Sequence, residues 1–355
     1  MVPLFVLAHL SHHLLAAMLT PLMPFIRDDF ALDYTRAGGL ISAFTLAYGI
    51  GQLPAGWLAD RIGRRVLITL GISGTAFFCL LVGFSTSYMM MAVFLVAAGL
   101  MGGGYHPAAS PLVSASVEPK NRGRALGLHQ IGGSASYFLA PVITVAIAAA
   151  LGWRGSFIGL SIPILVLGVV FYLLLGRLGY TKNAKDEISR SQGNTASTSP
   201  GLRRLVAFIV LGITIQIMVF STISFLPLFV VDYHKGSESA AAALLALVYS
   251  AGLWAGPLGG YLSDRLGKVP VMLTMGLCAG PVIFLLNLAP FVWALSLVLV
   301  IIGMTMFSTM PVTEAYIIAR TSQHRRSSVL GIYYFASRGG PGLMAPVLGL
   351  SLIHI

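Results

Sequence analysis

The sequence predicts an all-α integral membrane protein made of two parallel-repeat six-helix bundles, with the twelfth helix lying beyond the last residue. Three observations lead there: an apolar composition, a succession of runs long enough to cross a bilayer, and a motif that recurs at a fixed offset. Of the 355 residues, 57% are hydrophobic and only 9% are charged. A soluble chain of that length needs far more charge to cover its surface, so most of this one takes lipid as its solvent. Forty glycines suit helices that approach one another closely in a membrane.

A helix needs about 20 apolar residues to cross the hydrocarbon core. That measure marks spans at 3–26, 38–59, 66–86, 88–117, 125–150, 154–176, 205–231, 239–262, 270–288, 291–319 and 328–349, eleven in all. The first has no Lys or Arg ahead of it and is long enough to span, so it reads as a retained helix rather than a cleaved leader. Residues 177–204, "RLGYTKNAKDEISRSQGNTASTSPGLRR", are polar and aperiodic and read as a flexible linker. The expected organisation is a six-helix bundle over 1–176, a cytoplasmic linker over 177–204 and a second bundle over 205–349. The tail "LSLIHI", 350–355, reads as non-native.

The cations set the orientation. Linkers after even-numbered spans carry seventeen Lys and Arg, whereas those after odd-numbered spans carry four: Arg27, Arg36, Arg154 and Lys235. Positive loops stay in the cytoplasm, which places the even linkers and the N-terminus there, in a multi-pass protein of a bacterial inner membrane. The net charge of +11 belongs to these loops and does not call for nucleic acid. Cys79 and Cys278 lie within apolar runs and form no disulfide framework. No phosphate-binding loop of the G-x-x-x-x-G-K-S/T type occurs, so ATP-driven transport has no basis here. Paired catalytic carboxylates, a nucleophile triad and a convincing metal cluster are absent too, so no enzyme, cofactor or metal is expected.

"GWLADRIGRR", Gly56 to Arg65, returns as "GYLSDRLGK", Gly260 to Lys268. The same offset of 204 residues pairs Asp60 with Asp264, Pro107 with Pro311, Arg122 with Arg326 and Gly127 with Gly331. An offset of 203 pairs His13 with Gln216 and Pro24 with Pro227. The copies run in one direction, which implies a parallel duplication about an axis along the membrane normal. Span six then requires a counterpart near 358–380, so the chain is expected to be C-terminally truncated.

The G-x-L-A-D-R-x-G-R-R pattern, the "GQLPAGWLAD" that leads into it, "GWRGSF" at Gly152 to Phe157 and the weaker copy at Gly260 resemble the signature of the major facilitator superfamily of secondary transporters. Within that superfamily, "GGGYHPAASPLVSASVEPKNRGRALGLHQIGGSASYFLAP" is similar to the fosmidomycin-resistance-type efflux branch. The resemblance implies the major-facilitator fold, in which two bundles rock about a central site and expose it alternately to each face, and it implies a monomer.

Gly56 and Gly63 suit close helix approach and a tight turn. Asp60, at the cytoplasmic end of span two, can accept hydrogen bonds from the amides at a helix N-terminus. The resemblance makes that helix span eleven, starting near Ser328. Arg64 is placed to reach Glu118 after span four, with Arg122 and Arg124 nearby. Such a cluster would latch the halves on the cytoplasmic side. The bland alternative is that the arginines only enforce topology. In the second copy Val269 replaces the counterpart of Arg65, which makes Asp264 the weaker gate.

Ionisable side chains at membrane depth raise a functional question by default. Arg338 lies in span eleven within "SRGGPG", where glycine and proline are expected to loosen the helix around a cavity. Its planar fork suits a carboxylate or phosphonate. Otherwise it is structural: paired with Glu314, snorkelling, or bonded to backbone carbonyls. "HLSHH" puts His9 one turn from both His12 and His13, which diverge by about 100°. One of these two is expected to face the central cavity, as a proton carrier or lining residue; packing, or metal ligation by the i, i+3 pair, are the other readings. His106-Pro107 is expected to break span four after a glycine run, either as a bend for gating or to turn His106 toward the cavity as a substrate-binding residue, and Pro311 to mark the same bend in the second copy. His129 and Glu314 are proton-coupling candidates, with local pairing of Glu314 to Arg320 or Arg338 the alternative. Gln216 is a cavity candidate in span seven, and other tyrosines read as packing.

The expected function is proton-coupled export of a small organic compound or drug, anionic if Arg338 is its site. Proton-coupled uptake of an organic anion or sugar, and a non-transporting membrane sensor, are the alternatives. The expected partners are a small-molecule substrate, protons and the lipid bilayer. The antiporter pattern G-x-x-x-G-P-x-x-G-G is not matched, because "GGSASYFLAPVI" holds Gly132, Gly133 and Pro141 in another order. The direction of exchange therefore stays open at this stage.

Overall fold

Each predicted span has its helix, and among the described residues there is no strand. The computed structural model describes residues 1–118, 122–178, 202–289, 293–321 and 323–353. The side chains at 56, 60, 114, 115, 122–124, 318, 319, 323–328, 352 and 353 lie outside that description. So do residues 179–201, which make up most of the expected linker, and the last two residues of the expected tail.

Span one is two helices, α1 (Val2–Ala16) and α2 (Leu19–Phe30). Span two is α3 (Tyr34–Ile62), capped by the Asp33 carboxylate, which accepts from the Arg36 amide at 2.7 Å. Span three comprises α4 (Arg64–Thr69), a π turn (Leu70–Gly74) and α5 (Thr75–Gly83). Span four divides into α6 (Tyr88–Gly103) and α7 (Tyr105–Ala115). Spans five and six form α8 (Arg122–Arg177), interrupted where Gly152 turns the chain at φ 72°.

The second half begins with α9 (Leu202–Asp232). α10 (Glu238–Ser250) and α11 (Ala255–Leu266) make one span bent by 44°, a break that falls one turn before Pro257 and was not among the expectations. α12 (Lys268–Phe284), α13 (Trp293–Arg320) and α14 (Gln323–Ile353) follow, and α14 runs past the boundary expected at 349.

By length and hydropathy alone, seven described helices can cross a membrane, or eight with the bent pair counted as one span. The count falls below eleven because α8 holds two spans and because α3 and α14 are rich in glycine and hydroxyl residues. Those two helices pack on each other, backbone against backbone. A methyl group added at Gly38 would lie 2.5 Å from the Ala345 carbonyl oxygen, and one at Gly49 would lie 2.8 Å from Gly339 Cα. One at Gly342 would meet Thr45 Oγ1 at 2.6 Å. This corrects one expectation. The glycines beside Arg338 do not loosen α14, which is continuous; they let it touch α3.

The break in span four falls at Gly104, one residue before the Tyr105-His106-Pro107 triplet. The matching bend in the second copy is not found, because α13 runs straight through Pro311. The local sequences differ: the first copy has three glycines ahead of its proline, and the second has threonines and a serine. Thr305, Thr309 and Thr313 each donate to the carbonyl one turn earlier, and Ser308 donates to Ala255.

The duplication is visible in the backbone. Gly63 sits at φ 92°, ψ 142° and Gly267, its counterpart, at φ 91°, ψ 146°, a conformation open only to glycine. Each ends one helix of its motif and starts the next. Buried apolar side chains form two clusters, one running from Phe5 to Leu175 and the other from Leu205 to Tyr333. The first also takes in Phe225, Leu228 and Ala345 from the second half.

Candidate functional site

The "HLSHH" stretch of α1 meets α7 and α8 in a buried cluster of five histidines. His9 Nδ1 donates to the His129 carbonyl at 2.6 Å, and the two rings stack 4.0 Å apart. His12 and His13 diverge as their spacing requires. His12 turns to the π turn of span three, where Nδ1 donates to the Gly71 carbonyl at 3.1 Å, and its Nε2 accepts from the Tyr48 hydroxyl at 3.1 Å. The Gly71 carbonyl also accepts from Thr75 Oγ1 at 2.8 Å. His13 meets His106 of α7, Nε2 to Nε2 at 3.0 Å, so one of the two rings presents N–H to the other. His129 Nε2 accepts from the Tyr105 hydroxyl at 3.1 Å.

A cavity lies between the two halves. Thr20, Thr45, Tyr48 and Tyr137 line it from the first half, and Phe220, Tyr249 and Arg338 from the second. Its volume is about 40 Å³, room for a few waters or the head group of a small solute. None of the histidines lines it directly. His12 reaches it through the Tyr48 hydroxyl, and His13 stands behind Tyr137, whose ring is 5.0 Å away.

Arg338 is placed near the middle of α14, 15 residues after its start or roughly 22 Å along the helix. Among the described residues its guanidinium hydrogen-bonds the Tyr137 hydroxyl and, at 3.5 Å, the Met310 sulfur. Neither partner is an anion. Glu314 on α13 has Tyr334 as its hydrogen-bonding neighbour and feels Arg338 only through space. Gln216 is buried on α9, and it is Phe220, one turn later, that lines the cavity.

Of the predicted gate, Gly63 makes the turn just described. Arg64 opens α4, and Glu118 follows α7 with its side chain exposed. The side chains of Gly56 and Asp60 lie outside the described residues. Asp264 is exposed and pairs locally with Lys268 at 3.1 Å.

The sequence profile of the Major Facilitator Superfamily matches residues 5–346. The chain belongs to that superfamily. This facilitator also shares its fold with a solved structure, a bacterial homologue of the human lysosomal transporter Spinster in an inward-facing and occupied conformation. The two are 19% identical with a TM-score of 0.78, over 98% of this chain and 80% of that one. The probable L-galactonate transporter of Escherichia coli is 30% identical over 42% of this chain and 33% of its own length. The probable sulfoacetate transporter SauU of Cupriavidus necator is 29% identical over 69% and 60%. The multidrug resistance protein MdtG of Enterobacter lignolyticus is 24% identical over 95% and 81%. The chain thus spans a third of the first relative and three-fifths of the second. Two of these relatives are named as transporters and the third as a multidrug resistance protein, and this chain is a multi-pass membrane protein of the same superfamily. The narrower fosmidomycin-resistance branch is not among these matches.

On the face opposite Gly63, the facilitator's halves are joined by residues the sequence did not single out. Arg27 at the end of α2 forms an ion pair with Asp232, the last residue of α9. The Tyr34 hydroxyl donates to the same carboxylate at 2.8 Å. Beside them Arg154 reaches Asp29 at 2.7 Å and donates to the Ser85 carbonyl at 3.1 Å. Linkers after spans one, three, five and seven therefore share one face, as the alternation of charge requires. Tyr137 and Tyr249 meet across the cavity with ring centroids 5.2 Å apart.

Proposed function

We propose that this facilitator is a proton-coupled carrier of a small organic anion. It works as a monomer in a bacterial inner membrane, with its N-terminus in the cytoplasm. The observation that carries the reading is Arg338, a guanidinium on the wall of the cavity between the halves with no carboxylate among its described hydrogen-bonding partners. A buried cation costs free energy unless it is paired, and an arriving carboxylate, sulfonate or phosphonate supplies the pair with two parallel hydrogen bonds. The hydroxyls of Thr20, Thr45, Tyr48 and Tyr249 surround that point and suit a solute with hydroxyl or carbonyl groups. L-galactonate and sulfoacetate, named for two relatives, are solutes of that kind.

Protons enter through groups that touch the cavity at one remove. His13 and His106 already share one hydrogen between two ring nitrogens, and His12 connects to the cavity through Tyr48. His129 and Glu314 extend the set on either side. Coupling requires solute and proton to bind the two conformations differently. Arg338 belongs to one half and the histidines to the other, so rocking changes the distance between them. Gly56, Asp60, Gly63, Arg64 and Glu118 then serve as the latch on the Gly63 face, with Asp264 in a lesser part.

Flux in proteoliposomes tests the reading. Labelled small organic acids are offered with acid imposed on one side only. Accumulation from an acidified outer medium assigns uptake, and loss from loaded vesicles against the same gradient assigns export. Binding without counterflow makes the protein a sensor. Arg338→Gln must abolish the flux; if it does not, the anion site lies elsewhere.

A further inference from the structure

We propose that His9, His13 and His106 form a binding site for a late first-row divalent cation such as zinc, cobalt or nickel. One nitrogen from each ring lies within 4.8 Å of the other two. Tetrahedral zinc with Zn–N bonds of about 2.0–2.1 Å holds its ligand nitrogens roughly 3.4 Å apart, so a small contraction closes the site. His13 Nε2 and His106 Nε2 are already 3.0 Å apart.

The five histidines sort themselves by what their nitrogens are doing. His12 spends both on Gly71 and Tyr48, and His129 gives its Nε2 to Tyr105. His9 differs. Its Nδ1 donates to a carbonyl, which can only accept, so Nε2 keeps its lone pair. That Nε2 is fully buried and has no hydrogen-bond partner. A ring fixed through Nδ1 by a backbone carbonyl and free at Nε2 is the arrangement that orients a metal-ligating histidine. His13 Nδ1 is buried without a partner as well. His13 and His106 meet through the Nε2 of each ring, one of which carries the hydrogen, so a cation that takes both nitrogens displaces that hydrogen to the ring's Nδ1 or to solvent.

The ligand type selects the metal. Among the described residues no carboxylate joins the three rings, which disfavours calcium and magnesium and suits ions that accept imidazole. The guanidinium of Arg338 hydrogen-bonds the Tyr137 hydroxyl, and the Tyr137 ring lies 5.0 Å from that of His13, so its positive charge opposes a cation in the cluster. Removing its charge should therefore tighten the site, a signature that a chance surface histidine pair would not show. All three ligands belong to one half of the repeat. The ion thus occupies the position assigned above to the proton, and its presence stops proton-driven flux.

The test uses the purified full chain in detergent, titrated with zinc chloride in a calorimeter and with cobalt chloride in a spectrophotometer. It reads the cation alone and stands whether or not the anion reading survives. The expected result is one ion per chain and, by X-ray absorption, a nitrogen shell at about 2.0–2.1 Å. His13→Gln and His106→Gln should each weaken binding about tenfold or more. Arg338→Gln should strengthen it, and His234→Gln, outside the cluster, should leave it unchanged. Size-exclusion and thermal profiles show whether each variant is folded. No binding by the unaltered protein, an oxygen-only shell, or affinity unchanged in both histidine variants overturns the proposal.

Discussion

Arg27 and Asp232 form an ion pair that joins the two halves of the repeat, 205 residues apart in sequence, on the face opposite Gly63. Both side chains are largely shielded, 17% and 25% exposed, so the pair is screened less than one on an open surface. Opening that face must break it. Asp232→Asn keeps the shape, removes the charge and should cost the closed form about 1–2 kcal/mol, a shift of roughly 5- to 30-fold in the equilibrium. A cysteine placed at Thr45, with Cys79 and Cys278 replaced, should react faster with an impermeant maleimide added from that side. An unchanged rate would mean that the pair does not latch.

Gly63→Ala and Gly267→Ala should each destabilise the protein by about 1–3 kcal/mol, because neither backbone conformation suits a residue with a Cβ. Thermal unfolding in detergent reads this. The space around Gly267 is open to a methyl group, with nothing nearer than 3.5 Å, so its penalty should be purely conformational. Equal losses at the two positions would confirm that the turns are equivalent in energy as well as in geometry.

Gly342→Ala should force α14 away from α3, since the added carbon would meet Thr45 Oγ1 at 2.6 Å and the Leu46 amide nitrogen at 2.8 Å. Overpacking of this kind costs about 1–3 kcal/mol. Gly331→Ala on the same helix meets nothing within 4 Å among the described residues and should leave stability unchanged or raise it by up to about 1 kcal/mol, which makes it the control. Both are read by unfolding temperature.

Arg338→Lys should weaken solute binding by roughly 10- to 100-fold, the equivalent of one charge-assisted hydrogen bond, because an ammonium keeps the charge and loses the fork. Competition against a labelled acid measures it. Equal affinity for the lysine protein would show that charge alone is recognised.

Tyr48→Phe removes the donor to His12 Nε2 and leaves that nitrogen buried without a partner. A loss of about 1–3 kcal/mol in stability is expected. The double variant Tyr48→Phe, His12→Phe should recover part of it, since an apolar pair needs no hydrogen bond.

How far the sequence could be read follows from the range of each signal. Spans were legible because 20 apolar residues in a row have few other uses, and the Gly63 turn because only glycine satisfies it. The divergence of His12 from His13 follows from helical geometry, and the structure sends them to different helices. Arg27 and Asp232 were not legible, because nothing local in either segment names a partner 205 residues away. Tyr48, Tyr137 and Tyr249 read as packing in the sequence, since an aromatic at helical spacing looks the same whether its hydroxyl meets lipid or a cavity. The bend at Trp254 carried a local mark, Pro257, whose ring displaces the carbonyl of Leu253 one turn back, but a proline in a glycine-rich span does not by itself say how far the helix turns.

The seam between α3 and α14 is made largely by main-chain atoms, as at Gly38 against Ala345 and Gly49 against Gly339. Side chains forgive small misalignments by swinging to another rotamer, but peptide groups have no such slack. Under the rocking motion proposed above, such a seam acts like a machined bearing, passing rotation of one lobe to the other with little play. Drift in a few residues along this strip would retune the stroke of the transporter without touching the solute it carries.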